Sequence, residues 1–202
     1  MAEFTKLQKQ YRWQDIEAAM KEKVGEERTA SLFAEASALS SSYAGNYKDL
    51  KGFEKRHASA AYNIAAIYIP LREEIGSEEA IRLLDEVWRP EALESRDRYD
   101  RLPPKMFIWL CRIIAGTAFG NKAGFERKDI SRDRGEVRFD VTSCPYVRIM
   151  SELGCAEACP IVCRQDEYTY GGMRGVAFER TMTLGRGDPK CDFCYRLRDR
   201  NG

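Results

Sequence analysis

Six of the seven cysteines lie between residues 144 and 194, so thiol chemistry is the first question this sequence raises. A thiolate can attack an electrophilic carbon or ligate a soft metal, and each use needs particular neighbours. Cys155, Cys159 and Cys163 recur every four residues, and CDFC supplies a Cys-x-x-Cys pair. In an extended strand, residues three apart face opposite sides. Cys191 and Cys194 therefore cannot both reach one ion if the alternation through Leu197 is a strand. Cys163 and Asp166 are three apart and share a face if their segment is helical, which would let the acid orient a thiol or a water. The plainer alternative is a small buried Cys163 beside a solvated Asp166. Cys159 stands at a helix start, and Arg148, Arg164 and Arg180 are candidate cations for a thiolate. His57 is the only histidine. It falls on an apolar stripe, where a satisfied core residue competes with a catalytic base. The glycine pairs Gly171-Gly172 and Gly185-x-Gly187 read as turns; neither follows a strand and opens a helix as a phosphate loop must.

The elements that must position these residues divide into two halves. Residues 1 to about 120 read as helical. Phe53, His57, Ala60, Ala61, Ile64, Ile67, Tyr68, Leu71 and Ile75 make one amphipathic stripe, which Pro70 is expected to kink or divide. Ser77 reads as the N-cap of a helix running to Pro90. After a break at 101–104, a helix from Lys105 to Ala118 is apolar nearly all round and is expected at the centre of the core. Beyond Gly120 the period changes to that of strands. Val137, Phe139 and Val141 alternate with Arg138, Asp140 and Thr142, placing Cys144 on the polar parity. Val176, Phe178, Met182 and Leu184 form a second alternating run. A six-residue loop and the run Cys191, Phe193, Tyr195, Leu197 complete a hairpin over 176–198. Between them, Cys159-Pro160 starts a helix carrying Cys163, Asp166 and Glu167. The predicted class is α+β: an N-terminal helical bundle packed on a small C-terminal antiparallel sheet with one or two crossing helices. Residues 1–49 read as a helical extension and 50–202 as one compact unit, with a helical half 50–120 and a sheet half 121–202.

Lys plus Arg number 33 against 32 Asp plus Glu, a net charge of +1. That balance gives no electrostatic case for nucleic acid or an anionic membrane, and points to a small molecule or a protein partner. The first twenty residues hold no apolar core of signal-peptide length, and no stretch has the roughly 20 apolar residues of a membrane span. A cytoplasmic chain with reduced thiols is the expectation.

The strings DVTSCPYVRIMSELG, CPIVCRQDE and FERTMTLGRGDPKCDFCY together resemble the C-terminal signature of the L-2-amino-thiazoline-4-carboxylic acid hydrolase family. The carriers are Cys144-Pro145, Cys163 to Asp166, Arg180-Thr181 to Thr183, and Cys191-Asp192-Phe193. Upstream, His57 ahead of Ala66-Ile67-Tyr68 is similar to the family's helical half, so the likeness spans roughly residues 50 to 198. It implies hydrolysis of a small cyclic amidine-like carboxylic acid at a ring C–N or C–S bond. Cys155, Cys159 and Cys194 are additions to the pattern.

Three readings follow. In the first, Cys144 or Cys163 attacks the ring carbon, Asp166 or His57 moves protons, and Cys191 completes the catalytic group. Arg180, with Thr181, Thr183 and Asp192, holds the substrate carboxylate, and no cofactor is needed. In the second, Cys144, Cys163 and Cys191 hold zinc or another thiophilic metal. In the third, the protein is a non-catalytic binding or assembly protein, its apolar helix around Trp109 forming a homo-oligomer interface.

Overall fold

The computed structural model describes residues 12–131 and 133–198. Helices α1 (Trp13–Val24), α2 (Glu26–Asn46), α3 (Gly52–Ile75), α4 (Ser77–Tyr99) and α5 (Pro104–Ala118) precede strands β1 (Glu126–Ser131) and β2 (Glu136–Ser143). Helices α6 (Pro145–Glu152) and α7 (Cys159–Tyr170) follow, then β3 (Val176–Glu179) and β4 (Cys191–Leu197). This is the expected α+β arrangement. The helices form because their apolar residues recur on one side: α1 buries Trp13, Ile16 and Met20, and α2 buries Leu32 and Ala36, each at steps of three or four.

The centre of the helical layer is α3, which packs against α2, α4 and α6 and buries nearly every residue from His57 to Tyr68. This corrects the expectation for α5. That helix buries Phe107, Ile108, Ala115 and Ala118 but leaves Trp109 55% exposed and Ile113 48% exposed, so an apolar composition all round did not secure burial all round. Pro70 does not divide α3, and α4 runs through Pro90 to Tyr99. Each proline removes one amide donor, but packing on the flanking turns holds each helix together. Ser77 is the first helical residue rather than the cap. Gly76 precedes it at φ 86°, a left-handed conformation that glycine adopts without steric cost, and the Ser77 hydroxyl pairs with Tyr68 Oη at 2.6 Å.

The sheet is antiparallel in the order β1-β2-β4-β3. Val137, Phe139 and Val141 lie opposite Tyr195, Phe193 and Cys191, so one face is apolar and the other carries Arg138, Asp140, Asp192 and Cys194. Strand β1 escaped the sequence reading because ERKDIS has no apolar alternation; it is an edge strand and mostly exposed. The second expected strand also stops early, at Glu179. Beyond it, the amides of Thr181 and Met182 donate to Asp192 Oδ1 at 2.8 and 2.7 Å, and the Thr183 amide donates to Asp188 Oδ2 at 2.7 Å. Carboxylates thus take the donors that a β ladder would have used, and residues 180–190 become a long, tethered loop with a short 3₁₀ turn at Leu184–Arg186. No helix among the described residues is long and apolar enough to cross a membrane.

The loop before β3 is pressed onto the start of α5. A Cβ at Gly175 would stand 2.2 Å from Pro104 Cγ and 2.9 Å from its Cβ, and a proline ring has little freedom to yield. Gly175→Ala is expected to cost about 1–3 kcal/mol of stability, read as a lower denaturant midpoint; an unchanged midpoint would show that the contact relaxes freely.

Candidate active site

A cavity of about 340 Å³, mostly apolar, is lined by residues of α3, α5, β2, α6, α7 and β4. His57, Cys144, Cys163, Asp166, Arg180 and Cys191 all reach it, so the helical half and the sheet half meet there. Cys144 arrives by a route the strand parity does not give. Strand β2 ends at Ser143, and the chain turns into α6 at Cys144-Pro145, which swings the thiol to the apolar side. Cys163 and Asp166 come together because α7 is an unbroken helix. Cys191 follows from alternation along β4, and the same alternation sends Cys194 to the far face, where Arg138 Nη2 stands 3.6 Å from its sulfur. All seven thiols are free.

Cys163 is the most closely framed of them. The Thr183 hydroxyl donates to its sulfur at 3.3 Å, and Cys191 Sγ donates to the same hydroxyl at 3.6 Å. The Leu184 amide in turn donates to Cys191 Sγ at 3.2 Å. The loop comes this near because residue 185 is glycine: a Cβ there would stand 2.7 Å from Cys163 Sγ. Burial pushes the Cys163 thiol up; the Thr183 hydroxyl and the Arg180 charge pull it back, while Asp166 and Cys191 add to the rise. Burial pushes Cys144 up to about 12, although the amides of Tyr146 and Val147 oppose it. A resting thiolate is therefore disfavoured at both, and either would need a base during attack.

Arg180 leaves the end of β3 and turns inward, its side chain 1% exposed. Nη1 donates to Asp166 Oδ2 at 2.9 Å, and Nη2 donates to Glu167 Oε1 at 2.9 Å and to the Cys163 carbonyl at 2.7 Å. Its guanidinium also lies 5.2 Å from the centre of the Phe193 ring. With both terminal nitrogens committed, Arg180 serves Asp166 and α7 rather than offering a fork to a carboxylate. Burial opposes its charge, and the two acids more than offset that. For Asp166 the balance goes the other way: burial raises its carboxyl to about 6 against the pull of Arg180. Its side chain is 38% exposed, but that surface looks into the cavity, so desolvation prevails.

His57 is 8% exposed and fully engaged. Nε2 lies 2.8 Å from the Ala118 carbonyl and must donate to it, which leaves Nδ1 to accept from Tyr146 Oη at 3.1 Å. Burial lowers its pKa, with a smaller opposing pull from the Ala118 carbonyl. The ring is neutral, held between α3, the end of α5 and α6, and lines the cavity beside its hydrogen-bond partner Tyr146. Sequence reasoning missed Tyr146, whose one signal is its place directly after Cys144-Pro145.

The remaining expected residues separate. Thr183 is 1% exposed behind the thiols. Thr181 and Asp192 bond each other, Oγ1 to Oδ2 at 2.6 Å, and line a second, polar cavity with Arg138, Glu179 and Lys190. Asp192 is adjacent to Cys191 on a strand, so it points to the opposite face, away from Cys144, Cys163 and Cys191 and on the side of Cys194. Among the described residues, no three Cys, His, Asp or Glu side chains are grouped as a metal ion requires. The alternative of zinc on Cys144, Cys163 and Cys191 finds no ligand set in this geometry.

Residues 54–195 match the sequence model of the family described as L-2-amino-thiazoline-4-carboxylic acid hydrolase. The chain belongs to that hydrolase family. No curated protein and no solved structure matches it. The hydrolase match encloses every cavity residue named above, whereas α1 and α2 precede it.

His57 makes the stability of this hydrolase pH-dependent. Its folded pKa lies below the unfolded value of about 6.5, so its contribution is full above that pH and is lost as pH falls through it, when the unfolded chain takes up the proton. The Tm of the wild type should fall more between about pH 7 and pH 5 than that of His57→Gln; parallel curves would remove His57 as the source.

Proposed function

We propose that this protein opens the ring of a small thiazoline-type cyclic amidine carboxylic acid by hydrolysis at a ring C–N or C–S bond, with Cys163 as nucleophile and Asp166 as proton carrier. The observation that supports it most is the placement of Cys163 and Asp166 side by side on one helix face in an apolar cavity, in a chain of this family. The cavity's volume lies at the small end of the roughly 300–1,000 Å³ common for ligand pockets.

Attack forms a bond from Cys163 Sγ to the amidine carbon while Asp166 takes the thiol proton, and the C=N pair moves onto nitrogen. If the ring bond to sulfur breaks, the pair on nitrogen re-forms the C=N bond and Asp166 returns its proton to the leaving sulfur. If the bond to the ring nitrogen breaks, the exocyclic amino group forms the new C=N bond, and its proton and that of Asp166 go to the leaving nitrogen. Water, deprotonated by Asp166, adds to the same carbon, and Cys163 leaves as a thiol. A carboxyl near 6 suits both directions of transfer. Arg180 is the positioning residue: it fixes Asp166 and the α7 turn that carries Cys163. Thr183 holds the sulfur, and the Tyr146–His57 pair lines the wall as a neutral donor system.

With 2-amino-thiazoline-4-carboxylate as substrate, Cys163→Ser should lower kcat at least about a hundredfold, more than Cys144→Ser or Cys191→Ser does. Equal losses at the three positions would overturn the choice of nucleophile. Because the base form of Asp166 is required, kcat/KM should fall as pH drops through about 6. Asp166→Asn should abolish that limb along with most activity; an intact limb would assign it to another group.

A further inference from the structure

The polar groups around the cavity divide into those with partners and those without. Arg180 has spent its terminal nitrogens on Asp166, Glu167 and the Cys163 carbonyl. Gln165 donates to the Ile161 carbonyl at 3.2 Å, and Tyr146 donates to His57. Three phenols are left; Tyr99 is 37% exposed, and the other two are more buried. Tyr170, the last residue of α7, and Tyr195, on β4 and 7% exposed, both line the cavity, with ring centres 5.2 Å apart and planes at 86°. Among the described residues neither hydroxyl has a hydrogen-bond partner, and neither oxygen is among the unpartnered atoms sealed from solvent.

A hydroxyl that faces a cavity and has no protein acceptor is free to donate to a ligand there. Burial holds both phenols well above their ordinary pKa, and the charge of Asp166 adds to it, so both stay protonated. Asp166 and Cys163 line the same cavity as the two phenols, so the thiol, the carboxyl and both hydroxyl-bearing rings share one space. Resting on the ring-opening reading above, we propose that Tyr170 and Tyr195 donate their hydroxyl protons to the substrate's carboxylate and so turn the amidine carbon toward Cys163. They are specificity-determining residues, taking the role that the sequence suggested for Arg180. A carboxylate satisfies both donors at once; an uncharged group at that position accepts more weakly.

The test is binding, so it does not depend on turnover. L-thiazolidine-4-carboxylate, which has no amidine carbon, and its carboxamide are titrated calorimetrically against the wild type, Tyr170→Phe, Tyr195→Phe and the double variant. The wild type should prefer the carboxylate by at least about tenfold, and each hydroxyl removed should cut that preference by several-fold, an amount typical of a bond to a charged acceptor. The double variant should lose it entirely. Because the readout is a ratio within one protein, a general loss of packing lowers both affinities and leaves it in place, and the single variants carry the test if the double variant fails to fold. A ratio within about twofold of the wild type in both single variants, or no preference in the wild type, would overturn the proposal. Absence of 2-amino-thiazoline-4-carboxylate turnover by the wild type would instead count against the ring-opening reading.

Discussion

A guanidinium cannot be taken out of water without acceptors around it, and the burial of Arg180 organises much of the site by that rule. Its partners come from α7 alone: two side-chain carboxylates and one backbone carbonyl. To reach them the chain must abandon the β ladder after Glu179, and the amides released are taken up by Asp192 and Asp188. The loop so formed carries Thr183 and Gly185 up against Cys163. One buried cation thus ties together the end of a strand, the direction of a helix and the setting of a thiol. As with other buried ion pairs, the value lies in fixing geometry more than in stability.

The same arrangement separates the roles of the charged groups. Asp166 keeps a carboxyl near 6 because desolvation outweighs its partner, which is the range in which a carboxyl can both give and take a proton at neutral pH. The thiols, by contrast, are driven toward their neutral forms. Under the proposed mechanism such a site stays inert until a substrate arrives, since its nucleophile is made only in the course of attack.

Much of this was legible in the sequence, and what was not has physical reasons. Period-two alternation separated Cys191 from Cys194, and Cys159-Pro160 marked the start of α7, so the pairing of Cys163 with Asp166 follows from local geometry alone. The α+β order was likewise readable from the change of period after Gly120. Parity failed at Cys144, because a strand's alternation ends where the strand ends, and Pro145 was the cue that it does. It failed again beyond Glu179, where Arg180 is drawn to acids that are remote in strand order. The exposure of Trp109 and the polar edge strand β1 depend on what lies alongside them, which one chain's periodicity does not encode. Nothing in the sequence marks Tyr146, Tyr170 or Tyr195 as functional; only the tally of hydrogen bonds around the cavity sets them apart.

Strand β4 serves two environments at once, with Cys191, Phe193 and Tyr195 turned to the cavity and Asp192 and Cys194 turned to the other face. Its tolerance to change is therefore very uneven. A substitution at Cys194 touches the outer face only, whereas one at Asp192 would also free the loop that frames Cys163, and a one-residue slip of β4 in its register would exchange the faces, pointing carboxylate where thiol had been. What the cavity demands of this strand is therefore its register more than the identity of any outward side chain.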